Sequence, residues 1–282
     1  MMRHAIPPLI YGTAWKQERT AQLVEMAVLA GFRGIDTACQ PKHYHETGVG
    51  EALKRLRAHG IERDHLFLQT KFTPLAGHDP ARIPYDPAVP LSMQVAQSFG
   101  VSQRNLGVDV VDALILHAPL ESYDRTLEVW RAMEEIAQRG GTRLLGVSNC
   151  YDVHFFQRLF ADAIVKPSIL QNRFYAQTHY DDELRAWCRS QGIIYESFWS
   201  LTANTHLLAH PAIANIAMRH GLTQAQVWYR YLIDLGIVPL IGTTSALHMA
   251  QDLAVLDLAL EKSEREAIDT LVKQSVRWVQ RP

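Results

Sequence analysis

Apolar and polar positions alternate between two rhythms along the chain. Short runs rich in β-branched and apolar residues recur eight times: PLIYGTA (8–14), FRGIDTA (32–38), LFLQTKF (66–72), DALILHAP (112–119), RLLGVSN (143–149), SILQNRF (168–174), GIIYESFW (192–199) and GIVPLIGT (236–243). Between them apolar residues return every three or four positions. In TLEVWRAMEEIAQR, Leu127, Trp130, Met133, Ile136 and Ala137 share one helical face. Gly31, Gly140, Gly192 and Gly236 stand where a helix must end before the next run. Eight strands, each followed by a helix, predict an α/β protein built as one (β/α)8 TIM barrel domain over 1–282. No GxGxxG follows the first run, which argues against a Rossmann sheet.

Two stretches break the rhythm. HPAIANIAMRHG is an extra helix before the seventh barrel helix, TQAQVWYRYLIDLG. TPLAGHDPARIPYDPAVP (73–90) is a proline-rich loop after the third strand, long enough to suggest a working part. Its His78, Arg82 and Tyr85 are expected to offer polar contacts over the barrel mouth. A last helix, SEREAIDTLVKQ, reads as capped by Ser263 with Glu266 completing a capping box.

Composition narrows the class. The chain has 282 residues, 48% hydrophobic and 20% charged, with a formal net charge of −1. That balance lacks the basic footprint of a nucleic-acid binder, and no run approaches the roughly 20 apolar residues of a membrane span. Three scattered cysteines (Cys39, Cys150, Cys188) read as reduced thiols of a cytoplasmic protein. A monomer or weak dimer is expected.

In such a barrel, polar groups at the carboxyl ends of the strands share one mouth. Those ends carry Thr13, Asp36, Lys71, His117, Ser148, Asn149, Gln171, Asn172, Ser197, Thr243 and Thr244. Each alone has an ordinary explanation: a cap, a solvated lysine, a satisfied core histidine. Together they make a site. An inward lysine and aspartate must pair, because an unpaired buried charge is costly. The loop after the second strand holds HYHE (43–46). If Tyr44 reaches the pair, an ammonium about 4 Å away at an effective dielectric near 20 offers roughly 4 kcal/mol. That would draw the phenol down from about 10 towards 7, making it a proton donor at neutral pH. A different class is a metal-dependent hydrolase using His43 and His45, with His117 as a third ligand. Against it, His43 lies seven residues beyond Asp36, and the eighth strand ends LIGTT with no aspartate.

GFRGIDTA, QTKF, LILHAP, GVSN, SILQ, HPAIANIAMRHGLTQAQV and LIGTT, in this order, resemble the aldo-keto reductase family from Ile6 to about Gln274. The resemblance implies a nicotinamide-dependent carbonyl reductase with a catalytic tetrad of Asp36, Tyr44, Lys71 and His117. Its substrate, a small carbonyl compound, would lie against Trp15, Tyr44 and His117. It also implies Ser148, Asn149 and Gln171 on the nicotinamide carboxamide and Phe198 stacked on the ring. Gly12, Thr13, Ala14, Asp36, Trp199, Ser200, Leu201, Gly242, Thr243, Thr244, His248, Gln251 and Asp252 would complete the nucleotide site. No metal is implied. Some relatives with this barrel bind nucleotide without useful turnover, and a regulatory role is the alternative to an enzyme.

The chain departs from the family pattern in places. Tyr44 stands eight residues after Asp36, where about five are usual, and QNRFYA puts Arg173 at the rim. The tail SVRWVQRP is short. NADP(H) is the family's default cofactor, but Tyr231 to Glu261 contains no lysine or arginine. The 2′-phosphate would then meet Thr243, Thr244 and His248, which lack arginine's permanent bidentate charge. NAD(H) should be accepted to a useful degree, and NADP(H) bound more tightly at acid pH, where an imidazole is charged.

Overall fold

A computed structural model of the chain describes residues 6–279. Eight parallel strands close into a barrel in sequence order: β1 (Ile10–Gly12), β2 (Gly34–Asp36), β3 (Phe67–Phe72), β4 (Val111–Leu116), β5 (Thr142–Ser148), β6 (Ile169–Arg173), β7 (Ile194–Phe198) and β8 (Ile237–Ile241). Six lie inside their sequence runs, and β4 and β5 each begin one residue before theirs. Closure is made by β1 on β8, with Ile10 opposite Leu240 and Tyr11 opposite Ile241.

Side chains alternate in and out along every strand, and the alternation sorts the core into two. Ile10, Phe67, Ala113, Ile115 and Ile169 face the lumen and plug its lower end. Tyr11, Ile35, Leu68, Leu114, Leu116 and Leu170 face outward, into the layer between barrel and helices. Two residues beyond the plug, the inward positions turn polar: Gln69, Gln171 and Glu196, all buried. The next inward positions reach the mouth.

The helices are α1 (Thr20–Ala30), α2 (Glu46–Arg57), α3 (Leu91–Leu106), α4 (Tyr123–Gln138), α5 (Val153–Asp162), α6 (Asp182–Ser190), α7 (Thr205–Leu208), α8 (Pro211–His220), α9 (Gln224–Asp234), α10 (Ala246–Ala254) and α11 (Lys262–Val279). The expected extra helix is α8, capped by His210 with Pro211 in its first turn. A one-turn α7 precedes it, which the periodicity did not signal. Thr223 and Gln226 form a capping box on α9. The box expected at Ser263 and Glu266 is displaced: α11 begins at Lys262, and the Glu264 carboxylate accepts from the Glu261 N–H. The last three residues of the tail 275–282 lie outside the described residues.

Gly50 on α2 is required by packing. A Cβ there would meet the Asn105 carbonyl oxygen at 2.1 Å, so only glycine lets α2 and the end of α3 approach this closely. Among the described residues no helix is long and apolar enough to cross a membrane.

Candidate active site

Asp36 closes β2 and Lys71 lies five residues into β3, one step higher on the barrel wall. Both are buried, and the Lys71 ammonium donates to Asp36 Oδ1 at 2.5 Å and to the Thr37 carbonyl at 2.9 Å. The pairing expected from sequence is present. Asp36 Oδ1 also accepts from the side-chain amides of Gln69, at 2.9 Å, and Gln171, at 3.1 Å. The same two amides donate to Glu196 Oε2 at 2.8 and 2.7 Å. One ammonium therefore stands against two buried carboxylates joined by two amides.

Tyr44 reaches this pair from an unusually long loop, and the backbone shows how the extra residues are absorbed. Beyond Asp36 the chain continues along β3, with Thr37 N–H donating to the Gln69 carbonyl and Cys39 N–H to that of Lys71. A turn centred on Gln40 then folds the loop back, its carbonyl accepting from the N–H groups of His43 and Tyr44. The partly buried Tyr44 ring ends 5.1 Å from the Lys71 ammonium, measured to its centroid, and 5.9 Å from the His117 ring, edge to face.

Here one expectation is corrected. Burial pushes the Tyr44 phenol above its ordinary value; the Lys71 charge and hydrogen bond pull down, and the Asp36 charge pushes up again. The Coulomb attraction anticipated from sequence exists, but desolvation outweighs it and Asp36 offsets much of it. Tyr44 thus keeps its proton through the neutral range. For Lys71, burial opposes the charge, but Asp36 and Tyr44 overcome it and hold the ammonium firmly protonated. Burial, followed by the Lys71 charge, depresses His117 well below the usual imidazole range. Its Nδ1 lies 2.7 Å from Thr73 Oγ1. Glu196 is buried without access to water, and that burial, the largest influence, pushes its carboxyl up to about 7.

The other residues singled out in the sequence fall around this centre. Trp15 is 60% exposed at the rim and stacked on His43, ring centroids 3.9 Å apart. Gly12 ends β1, Ala14 lies partly buried beside it, and the Thr13 hydroxyl is engaged on the Asp36 carbonyl at 2.9 Å. Ser148 and Asn149 sit together at the end of β5, with the Asn149 amide donating to the His117 carbonyl and to Ser148 Oγ. Gln171 is opposite Ser148, its amide nitrogen turned down to the carboxylates. Asn172 and Ser197 face the helices: Asn172 bonds Asp181 and the Cys150 carbonyl, and Ser197 meets Ser200. Phe198 closes β7 partly buried, and Trp199 follows it 49% exposed. Ser200 is buried, its carbonyl accepting from Trp228 and Asn204, with Leu201 partly buried beyond it.

After β8, Gly242 and Thr244 are exposed, and the Thr243 carbonyl accepts from the Tyr11 hydroxyl. Ser245 caps α10. His248 is exposed on that helix and Gln251 partly buried. Asp252 is 5% exposed, and its burial raises the carboxyl to about 7.

Four residues escaped the sequence reading. Lys16 is buried and its ammonium donates to the Gly242 carbonyl. A cation from the first loop therefore stands at the β8 turn, where the local sequence has none. Gln69 and Glu196 lie two residues before Lys71 and Phe198 on the same inward faces, so strand alternation carried that signal. Thr73, just past β3, had no signal beyond its position.

The polar groups of loop 73–90 are not free for a substrate. His78 and Tyr85 are buried and both engage the Thr73 carbonyl at 2.9 Å, while Arg82 pairs with Asp79. They hold the loop to its own root. The cysteines are buried free thiols, each pushed up to about 12 chiefly by burial. Among the described residues no three His, Cys, Asp or Glu side chains gather to hold a metal. His43 stacks on Trp15 and His45 Nε2 meets Thr47 Oγ1, and neither belongs to such a cluster.

Comparison with known proteins places the barrel in one family. The family model for the aldo/keto reductase family matches residues 8–273. An uncharacterised oxidoreductase of Bacillus subtilis, YtbE, is 30% identical over 249 residues, 88% of this chain and 82% of its own. The glyoxal reductase of the same organism is 29% identical over 251 residues, covering 89% and 82%. A crystal structure of a Bombyx mori aldo-keto reductase in complex with NADP superposes with a TM-score of 0.78 at 25% identity, covering 98% of this chain and 94% of that one. With a closed eight-stranded barrel, a buried lysine–aspartate pair at its mouth and a family match over nearly its whole length, the chain belongs to the aldo/keto reductase family.

Proposed function

We propose that the protein reduces an aldehyde or ketone to the alcohol with a nicotinamide nucleotide, Tyr44 donating the proton. The observation that carries this reading is the placement of a protonated tyrosine between a buried, fully charged lysine and a neutral histidine. In carbonyl reduction negative charge builds on the substrate oxygen. A donor ready there, with a fixed positive charge behind it, stabilises the transition state more than the ground state. In the tautomer whose Nδ1 accepts from Thr73, His117 Nε2 carries the imidazole proton and directs it at the carbonyl oxygen. As the proton leaves Tyr44, the nascent phenolate is stabilised by Lys71, and Asp36 keeps that ammonium in place.

The residues present suit a dinucleotide. Lys16 at the β8 turn, the capped N-terminus of α10 and the exposed Gly242 offer a cation, backbone N–H groups and close access to phosphates. Ser148 and Asn149 supply polar contacts for a carboxamide, and Phe198 and Trp199 supply aromatic faces. The nicotinamide, when bound, supplies the hydride. NADP(H) is the family default. With Lys16 as the cation at the β8 turn and no lysine or arginine between Tyr231 and Glu261, NAD(H) is accepted as well. Small dicarbonyls such as glyoxal, the substrate named for one relative, lead the candidate substrates.

The test is nucleotide oxidation with glyoxal, methylglyoxal and a panel of aldehydes, ketones and sugars. Turnover that rises with substrate and yields the alcohol supports the reading. Oxidation that never exceeds background, with nucleotide still bound, would assign the barrel a regulatory role instead.

A further inference from the structure

Arg173 has no role in the chemistry described above, yet strand alternation brings it to the mouth. On β6, Ile169 belongs to the inner plug and Gln171 bonds across the lumen to Asp36. Arg173, two further on and opposite Phe198, is the next inward position. His117 stands in the same relation to Ala113 and Ile115 on β4. Both therefore occupy the uppermost inward positions of their strands.

The guanidinium is held but not neutralised. Its centre lies 4.2 Å from the Trp199 ring centroid and 5.1 Å from that of Tyr175. The Tyr151 hydroxyl accepts from the Arg173 backbone N–H and packs edge to face on Tyr175, closing an aromatic wall around the side chain. Other arginines here meet carboxylates: Arg63 and Arg143 on Asp112, Arg131 on Glu134, Arg230 on Asp234. Among the described residues none pairs with Arg173, and its Nε is buried without any hydrogen-bond partner. Trp199 reaches it by adopting φ 55°, a left-handed backbone that a bulky residue takes only under constraint. Aromatic rings pack against the guanidinium and, among the described residues, no carboxylate pairs with it, so its N–H groups remain for a planar or tetrahedral oxyanion.

We propose that Arg173 is an anion-recognition residue of the barrel mouth, taking a carboxylate or phosphate oxygen of the molecule bound there. The anion has two sources: a carboxylate on the carbonyl substrate, or a phosphate of the nucleotide. The first rests on the carbonyl-reductase reading and the second needs only nucleotide binding.

Arg173→Leu and Arg173→Lys, compared with the unaltered protein, separate the sources. One arm measures dissociation constants of NADPH and NADH without substrate. The other measures KM for 4-formylbenzoate and for its uncharged methyl ester. Loss of a charge-assisted pair predicts a rise of about tenfold or more in one arm. A rise for the carboxylate but not the ester assigns the substrate, and a rise in nucleotide dissociation constants assigns the phosphate. Arg173→Lys should fall between, because it keeps the charge without the fork. It decides the matter if Arg173→Leu does not fold. Nucleotide constants and carboxylate-to-ester ratios all within about twofold of the unaltered protein would overturn the proposal. Failure of either aldehyde to react at all would count against the reductase reading, while the nucleotide arm would still test Arg173.

Discussion

Replacing Glu196 with Gln should make the protein more stable in alkaline solution while changing little in acid. Glu196 has no access to water, and its carboxyl is pushed from 4.5 up to about 7, chiefly by burial, with the Asp36 charge adding to it. A folded-state value above the unfolded one means that folding favours the protonated form. Its contribution is present below about pH 4.5 and lost as pH rises through about 7. A shift of that size, at about 1.4 kcal/mol per unit, amounts to roughly 3 kcal/mol, of which about 2–3 kcal/mol is expressed between pH 5 and pH 8. Glutamine preserves the geometry: its carbonyl oxygen can accept from Gln69 and Gln171 as Oε2 does. Glu196 Oε1, where the amide nitrogen would stand, is buried without a hydrogen-bond partner. Asp252, raised to about 7 by burial, titrates in the same window. It is common to both proteins and cancels in their difference. Urea unfolding at pH 5 and pH 8 measures the effect. The gap between Glu196→Gln and the unaltered protein should widen by about 2–3 kcal/mol towards pH 8. Parallel pH profiles would show that Glu196 ionises without penalty and that the two-carboxylate account is mistaken.

Other consequences follow from the same contacts. Lys71→Met leaves Asp36 buried with only amide donors, and should cost about 3–5 kcal/mol at pH 8. An unchanged urea midpoint at pH 8 would contradict this. Gly50→Ala should destabilise by about 1–3 kcal/mol or more through the clash with the Asn105 carbonyl, and an unchanged melting temperature would show that α2 shifts freely. Lys16→Met should weaken NADPH and NADH binding together by about tenfold, the worth of one charged hydrogen bond. Weakening of NADPH alone in titrations would place Lys16 at the 2′-phosphate instead.

The barrel was legible because period-two and period-3.6 patterns alternate cleanly, and every strand coincides with a run read from sequence, β4 and β5 starting one residue early. The Asp36–Lys71 pair was legible for the same reason: strand ends in a barrel converge, and opposite charges there must meet. The direction of the Tyr44 shift was not, because it depends on desolvation and on Asp36 facing the same ammonium, neither of which spacing reveals. Glu196 illustrates the limit on the other side. Its inward position follows from counting two residues back from the end of β7, but a glutamate in a strand ordinarily reads as solvated. Long-range contacts were the least visible. Nothing near β8 in the sequence announces that Lys16, 226 residues away, supplies its cation. The polar residues of loop 73–90 looked available because sequence does not show that they close back on Thr73.

Tyr44 as the proton donor for hydride reduction is open to direct measurement. NADPH deuterated at the transferring position, mixed with methylglyoxal or another accepted aldehyde, follows both partners of the reaction in one measurement. The unaltered protein should place deuterium on the carbinol carbon, one per nucleotide oxidised. Tyr44→Phe should bind NADPH with the same dissociation constant while its single-turnover rate falls by about a hundredfold or more, as removal of a positioned general acid predicts. Deuterium transfer at an undiminished rate in Tyr44→Phe would contradict the account directly.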